Sequence, residues 1–152
     1  MTVYLDTSSL VKLFLEESGS DQVRALAVDA TVIVTSVVAY AETRAALARR
    51  RRERLLTPRA FSTAQRAFEG QWPRFASIEV TADVARQAGD LAERFALRGF
   101  DSVHLASFVS IASQAPAGGV AFSSFDDALN RAAAAWLRQA KRASVSRRPT
   151  RS

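Results

Sequence analysis

The 152-residue sequence contains no cysteine and a single histidine, His104. The absence of cysteine excludes disulfides, thiolate metal ligands and a cysteine nucleophile. One histidine excludes a metal site built from several imidazoles, and it disfavours acid–base schemes that need two of them. The residues left for site chemistry are therefore mainly carboxylates, hydroxyls and arginines.

Long apolar runs are also missing from the sequence. No stretch approaches the length of a membrane-spanning helix, and no charged region followed by an apolar stretch and a cleavage site marks a signal peptide. We therefore expect a cytoplasmic protein with no membrane partner. The length suits one domain. The net charge of +6 and the pI of about 10.9 favour a polyanionic partner, although such charge also serves solubility.

Strand-like and helix-like segments alternate along the chain in the pattern βαα-βαα-βαα-βα. The predicted strands are Val3–Leu5, Thr31–Ser36, Ser77–Val80 and Val120–Phe122. The predicted helices begin at Ser8, cover residues 20–28 and 37–55, start again after Thr57 as N-cap, and then cover residues 81–97, 102–113 and 127–137. This alternation predicts a parallel sheet flanked by helices. Gly99 is expected to interrupt the helical pattern, and the basic segment 138–152 is predicted to be a flexible tail.

Four acidic residues fall at or near the predicted strand-to-helix junctions: Asp6, Glu42, Asp101 and Asp126. Because the carboxyl ends of parallel strands share one edge, these carboxylates can meet there. Each also has a simpler structural interpretation. Asp6, Asp101 and Asp126 are good helix caps, with Asp127 competing for the last position, and Glu42 can form a salt bridge with an arginine.

Carboxylates without sulfur or imidazole ligands suit a hard cation, so the sequence favours Mg²⁺ or Mn²⁺ over Zn²⁺. An acidic pocket of this kind hydrolyses phosphodiester bonds through metal-activated water. A basic surface around it suits RNA or DNA.

Four segments carry a family resemblance: "VYLDTSSLVKLF", "TSVVAYAETRAAL", "LRGFDSVHLAS" and "FSSFDDALNRAA". In this order they resemble the motif blocks of the PIN-domain family and, more narrowly, the VapC-like ribonuclease toxins of type II (VapBC) toxin–antitoxin modules. The resemblance spans roughly residues 1–137. It implies a PIN-like three-layer α/β/α sandwich with a central parallel sheet of four to five strands, forming a nuclease domain over 1–137 before the tail of 138–152.

The resemblance also implies roles for the acidic residues. Asp6, Glu42 and Asp101 match the family's acidic core, and Asp126 matches its more variable fourth acid. Asp6 and Asp101 are expected to hold Mg²⁺ or Mn²⁺, with Glu42 and Asp126 completing the catalytic pocket.

Polar residues near the acids receive weaker predictions. Thr7, Ser8 and Ser124 match family positions whose hydroxyls help to shape the pocket, and Thr7 and Ser124 are candidates for substrate binding. Lys12 and Arg44 are close enough in sequence to reach a phosphate. His104 matches a frequent family position, and we expect it to be a packed core residue rather than a base.

The sequence leaves the role of one segment open, and two of its features depart from the family pattern. The run "ARRRRER" at 48–54 is either a solvated helix end or a phosphate-binding segment. Gly99 and Phe100 stand before Asp101, where many relatives carry Leu and then a small residue, and the basic tail has no clear family counterpart.

The resemblance implies a metal-dependent endoribonuclease that hydrolyses RNA as the toxin of a toxin–antitoxin module. Its expected partners are RNA, a cognate VapB-like antitoxin and a second copy of itself in a homodimer. One alternative is a catalytically inactive RNA-binding PIN module. Another is a phosphatase of the haloacid dehalogenase type with Asp6 as nucleophile, but that family needs a second aspartate where this chain has Ser8.

Overall fold

The structure is a computed structural model that describes residues 1–146. Within this range the chain forms four parallel strands, in the sheet order β3-β2-β1-β4. The strands are β1 (Thr2–Leu5), β2 (Val32–Ser36), β3 (Ala76–Ile78) and β4 (Val120–Ser123). The helices are α1 (Thr7–Leu10), α2 (Ser20–Asp29), α3 (Val38–Arg52), α4 (Pro58–Gln71), α5 (Ala82–Phe95), α6 (Gly99–Ala112) and α7 (Asp127–Ser146).

The central strand β1 is buried on both faces, which is why its sequence is apolar without alternation. Val3 and Leu5 pack on one face in a core with residues of α1 to α4. Tyr4 packs on the opposite face with residues of α5, α6 and α7. Helices therefore cover both faces of the sheet, and the predicted three-layer α/β/α sandwich is confirmed, with four strands.

The strand order places a topological switch point at the carboxyl ends of β1 and β4. The chain moves from β1 to β2 and β3 in one direction, and then returns to add β4 on the other side of β1. In open parallel sheets, ligands bind in the crevice at such a point. Asp6 directly follows β1, and Asp126 lies three residues after the end of β4.

Several helix boundaries differ from the predictions, above all around Gly99 and at the end of the last helix. Helix α5 ends at Phe95, and its C-cap Ala96 has a left-handed backbone with φ of 51°. Gly99 is the first residue of α6 rather than a break. The last helix does not end at Leu137 but continues to Ser146. Residues 138–146 contain alanine, arginine, lysine and glutamine without glycine or proline, so they propagate a helix well. The predicted end of the last helix at Leu137 is therefore wrong. Residues 147–152 of the predicted tail lie outside the described residues.

No helix within residues 1–146 is long and apolar enough to cross a bilayer.

Candidate active site

Asp6 is a buried carboxylate at the junction of β1 and α1. Its Oδ1 accepts the backbone N–H of Ser9 at 2.9 Å, so it caps α1 as one interpretation expected. The hydroxyl of Ser8 donates to Oδ1 and Oδ2 at 2.7 and 2.9 Å, and the hydroxyl of Ser124 donates to Oδ2 at 2.6 Å. Burial raises the pKa of Asp6, and these hydrogen bonds oppose part of that rise. Capping and a place in the site coexist because a carboxylate has two oxygens.

Glu42 lies on the second turn of α3 and is bound by Thr7 and His104 rather than by an arginine. The Thr7 hydroxyl donates to its Oε1 at 2.7 Å, and His104 Nε2 lies 2.7 Å from the same oxygen. Burial pushes the pKa of Glu42 upward, but the hydrogen bonds from His104 and Thr7 outweigh burial, so its pKa is lowered. The alternative interpretation, in which Glu42 pairs with an arginine, is therefore wrong.

His104 is buried in α6 and connects the core to Glu42. Its Nδ1 lies 2.9 Å from the Tyr4 hydroxyl. Burial raises the pKa of Tyr4 well above its ordinary value, so the phenol keeps its proton and can donate it to Nδ1. With Nδ1 as the acceptor of that bond, an N–H at Nε2 can donate to Glu42, which satisfies both contacts. This position agrees with the packed role predicted for His104.

Asp101 and Asp126 face one another across a single arginine. Arg98 Nε donates to Asp101 Oδ2 at 2.9 Å, and its NH2 group lies 3.7 Å from Asp126 Oδ2. Asp126 also caps α7, because its Oδ1 accepts the N–H of Leu129 at 2.8 Å. Asp101 is the third residue of α6, past the N-cap position at Arg98, so the capping interpretation of Asp101 is wrong.

All four predicted acids line one cleft of about 610 Å³. The hydroxyl of Ser124 ties two of them together, since it donates to Asp6 and accepts the backbone N–H of Asp126 at 3.0 Å. Thr7 binds Glu42 and lies 3.1 Å from His104 Nε2. The structure therefore brings the four acids to one cleft, and it puts Thr7 and Ser124 in contact with the acids themselves.

The basic residues near the acids divide into two groups. Lys12, Arg49, Arg50, Arg52 and Arg98 line the cleft. Arg44 does not line it, because two residues after Glu42 on a helix its side chain points to another side, where it binds Glu69 and Tyr40.

Four of the five cleft cations already have carboxylate partners. Arg49 pairs with Glu53 and Arg98 with Asp101, while Lys12 and Arg50 share Glu17. Lys12 Nζ lies 2.9 Å from Glu17 and also donates to the Ser18 carbonyl. Arg50 donates to both oxygens of Glu17. A phosphate role for Lys12 would thus compete with these bonds, and the position of Arg44 gives its predicted role no support.

The donor chemistry of the cleft fits a hard divalent cation, because it offers carboxylate and hydroxyl oxygens and its one imidazole is turned to Glu42 and Tyr4. The side chains are nevertheless not gathered around one point. Among the described residues, no three His, Asp or Glu side chains stand close enough to hold an ion together. Arg98 lies within ion-pair distance of both Asp101 and Asp126.

The model of the PIN domain matches residues 3–135 of this sequence. The chain belongs to the PIN-domain family. The matched region contains all four acids, strands β2 to β4 and all of β1 except its first residue, and the predicted family resemblance is confirmed.

Named relatives of this PIN domain come from Mycobacterium tuberculosis. Ribonuclease VapC45 of strain CDC 1551 / Oshkosh and ribonuclease VapC49 of strain ATCC 25618 / H37Rv are each 42% identical over 109 residues. These alignments cover 72% of this chain and 76% of each relative. The crystal structure of VapC20 from the same species, a toxin that cleaves the sarcin-ricin loop, matches with a TM-score of 0.62 and 22% identity. That match covers 86% of this chain and 94% of VapC20, and it shows the shared fold.

Sequence reasoning missed two residues of the site. Arg98 stands three residues before Asp101, a spacing that brings side chains together on a helical turn, and this signal was available. Tyr4 lies in an otherwise apolar strand, where a buried tyrosine usually has a partner for its hydroxyl. Nothing in the sequence indicated that this partner is His104, 100 residues away.

Proposed function

We propose that this PIN domain is the ribonuclease toxin of a toxin–antitoxin pair and that it hydrolyses RNA with the help of Mg²⁺ or Mn²⁺. The observation that carries the proposal is one cleft lined by four carboxylates and surrounded by cationic side chains. The relatives named ribonuclease VapC support the same activity. The cations attract the phosphate backbone, and the carboxylates repel it unless a divalent cation lies between them.

In this proposal Asp6 and Asp101 hold the cation, and Glu42 and Asp126 complete the acidic pocket. A bound divalent cation supplies activation of water and neutralises charge on the phosphate. Ser8 and Ser124 orient the Asp6 carboxylate, while Thr7 and His104 orient Glu42. His104 is a positioning residue because its two ring nitrogens are occupied by Tyr4 and Glu42 and it is almost fully buried.

The relatives' names also support a VapB-like antitoxin as partner, and we propose that the toxin is a homodimer. Co-expression with the product of a short neighbouring reading frame should restore growth of cells that express this chain. Light scattering of the purified protein reports its oligomeric state.

Cleavage of RNA by the purified protein tests the proposed function. With Mg²⁺ or Mn²⁺ the wild type should cut single-stranded RNA, and EDTA should stop it. Asp6→Ala and Asp101→Ala should each lower the rate by about a hundredfold or more, because even outer-shell partners of a metal are worth about 10- to 100-fold. The same substitutions should relieve growth arrest on expression.

The matched control is Asp83→Ala, which removes an exposed aspartate from the first turn of α5 and should leave the rate unchanged. RNA binding without cleavage at either metal would favour the inactive RNA-binding module instead. Trapping of a phosphate ester on Asp6 would favour the phosphatase alternative.

A further inference from the structure

Phe125 is an aromatic side chain left at the edge of the acidic cleft. It lines the same cleft as the four acids, and 41% of its surface is exposed. Single exposed apolar residues are common on protein surfaces. The position of this ring, between Ser124 and Asp126 in sequence, sets it apart from the others.

The backbone of Phe125 is held on both sides. Its N–H donates to the Ser8 hydroxyl at 2.8 Å, and the same hydroxyl donates to Asp6. On either side of it, Ser124 binds Asp6 and Asp126 caps α7. The ring is thus attached to the hydrogen-bond network that positions the acids, and it has few conformations to lose when a ligand covers it.

The Phe125 ring packs against Gly19 and Lys12. Gly19 lies against the ring edge with a positive φ of 87°, and a Cβ at this position would overlap the ring. The ammonium of Lys12 lies over the ring, 4.5 Å from its centroid. Lys12 is held in turn by Glu17 and the Ser18 carbonyl. A flat aromatic surface is therefore fixed between a cation and a backbone, with the remainder open to solvent.

We infer that Phe125 is a stacking platform for one unpaired nucleobase of the RNA substrate. This inference rests on the proposed function. A base on this ring brings its phosphodiester next to the acids, because the ring is one residue from Asp126 and its backbone shares the Ser8 hydroxyl with Asp6. Bases inside a duplex are stacked on one another, so the platform selects single-stranded or looped RNA. Any nucleobase can stack on an aromatic ring, so Phe125 contributes affinity for RNA without sequence specificity.

The test compares RNA binding by wild type, Phe125→Ala and Phe125→Leu in EDTA, where cleavage does not occur. The probes are a fluorescent mixed-sequence single strand and the same strand annealed to its complement. Phe125→Ala should weaken single-strand binding by about 5- to 150-fold, the usual range for one stacked base. Phe125→Leu should lose nearly as much, because it keeps apolar bulk but has no π face. Neither change should alter duplex binding.

Two further comparisons make the result specific. The loss in Phe125→Ala should be the same factor at low and high salt, since no phosphate contact is removed. Phe100→Ala removes an exposed ring beside Asp101 that does not line the cleft, and it should change affinity by less than about twofold. Thermal melts of each variant verify that it is folded.

Unchanged single-strand binding in Phe125→Ala would overturn the platform, as would wild-type affinity in Phe125→Leu or an equal loss on duplex. Equal losses in Phe100→Ala and Phe125→Ala would also overturn it. A wild type that neither binds RNA in EDTA nor cuts it with Mg²⁺ or Mn²⁺ overturns the proposed function itself. A wild type that cuts RNA while Phe125→Ala binds it normally overturns only the platform.

Discussion

At the scale of single residues, the site acids are held by short hydrogen bonds from hydroxyls, one imidazole and one guanidinium. Asp6 and Glu42 respond oppositely to these surroundings. Burial dominates at Asp6 and raises its pKa, whereas hydrogen bonds prevail at Glu42 and lower its pKa. An ionised Asp6 therefore opposes folding, while an ionised Glu42 supports it. Such a cost is common where a site is shaped for function.

Asp6→Asn should stabilise the metal-free protein at neutral pH, by about 0.5–2 kcal/mol, as is usual for a favourable replacement at an active site. The reason is that a raised carboxyl pKa gives stability that is fully present below the unfolded value of about 3.9 and is lost as pH rises through the folded pKa. The advantage of the variant should thus shrink as the pH falls toward 4. Asparagine preserves the cap on Ser9 N–H because its side-chain oxygen accepts equally well.

Thermal melts in EDTA across this pH range measure the difference directly. Asp83→Asn, an exposed aspartate paired with Arg86 on α5, is the control and should follow the wild type at every pH. A variant advantage that grows toward acid pH would contradict the assignment of the raised pKa to Asp6. The pH dependence of the contribution of Glu42 to stability is opposite to that of Asp6. The pKa of Glu42 is lowered on folding, so its stabilising effect is present above its unfolded pKa and is lost as the pH falls through its folded pKa.

At the scale of elements, helix α3 supplies both an acid and a basic rim. Glu42 lies near its start, and the arginine run forms its last turn, where positive charge also suits the helix dipole. Because of the helical period, the arginines of this run point to different sides of α3. Arg49, Arg50 and Arg52 line the cleft, whereas the guanidinium of Arg51 lies 5.0 Å from the Phe61 ring centroid.

Replacing Arg49 and Arg52 together with alanine should weaken binding of single-stranded RNA and flatten its dependence on salt. Each lost phosphate contact should lower the slope of log K against log salt by about 0.7. All RNA sequences should be affected alike, because phosphate contacts carry little sequence information. Filter binding at several salt concentrations gives the slope.

Arg51→Ala is the matched control from the same run. It removes one positive charge, where the double variant removes two, together with the contact with Phe61. Arg51 lies outside the set of residues that line the cleft, so the slope should stay close to wild type. An equal fall in slope for Arg51→Ala and for the double variant would contradict specific phosphate binding by the run and would favour its interpretation as a solvated helix end.

At the scale of the whole molecule, metal binding and folding are linked because the acids come from distant parts of the chain. Asp6 follows β1, Asp101 lies in the first turn of α6 and Asp126 precedes α7. Arg98 is the counter-ion of the last two. A divalent cation that binds these carboxylates must therefore displace Arg98 and also lose part of its own hydration shell.

Mn²⁺ at about a hundredfold excess over its dissociation constant should stabilise the wild type by about 2.7 kcal/mol. Arg98→Ala should melt lower in EDTA, because two like charges then face one another. It should bind Mn²⁺ about two- to fivefold more tightly, the size expected for loss of an exposed competing ion pair. Calorimetric titration and thermal melts measure the two effects.

Two arginine variants control this experiment. Arg86→Ala breaks a pair of the same i,i+3 spacing far from the cleft and should leave Mn²⁺ affinity unchanged. Arg49→Ala removes a cleft charge whose partner is Glu53, and it measures the long-range effect of charge alone. Equal affinities for Arg98→Ala and Arg49→Ala would exclude direct competition by Arg98, and no Mn²⁺ response in wild type would exclude the proposed metal site.

Much of the fold was predictable because it depends on local patterns. Apolar runs of β-branched residues, helical periodicity, and caps such as Thr57 and Thr81 act over a few residues. They indicated the order of elements and the parallel sheet, and the four motif segments indicated the family. The end of α7 was misplaced because a basic, polar composition was interpreted as a tail, although its residues propagate a helix.

By itself the sequence determined which chemistry is available: carboxylates, hydroxyls and arginines, with no thiol and one imidazole. It also placed the acids at strand-to-helix junctions. Only the tertiary structure decided their partners, because contacts across 62 or 118 residues depend on how the layers pack. It turned Arg44 away from the cleft, joined His104 to Tyr4 and Glu42, and put Arg98 between Asp101 and Asp126. Which side chains meet depends on the helical period and on the order of the strands, and neither can be obtained from a single sequence motif.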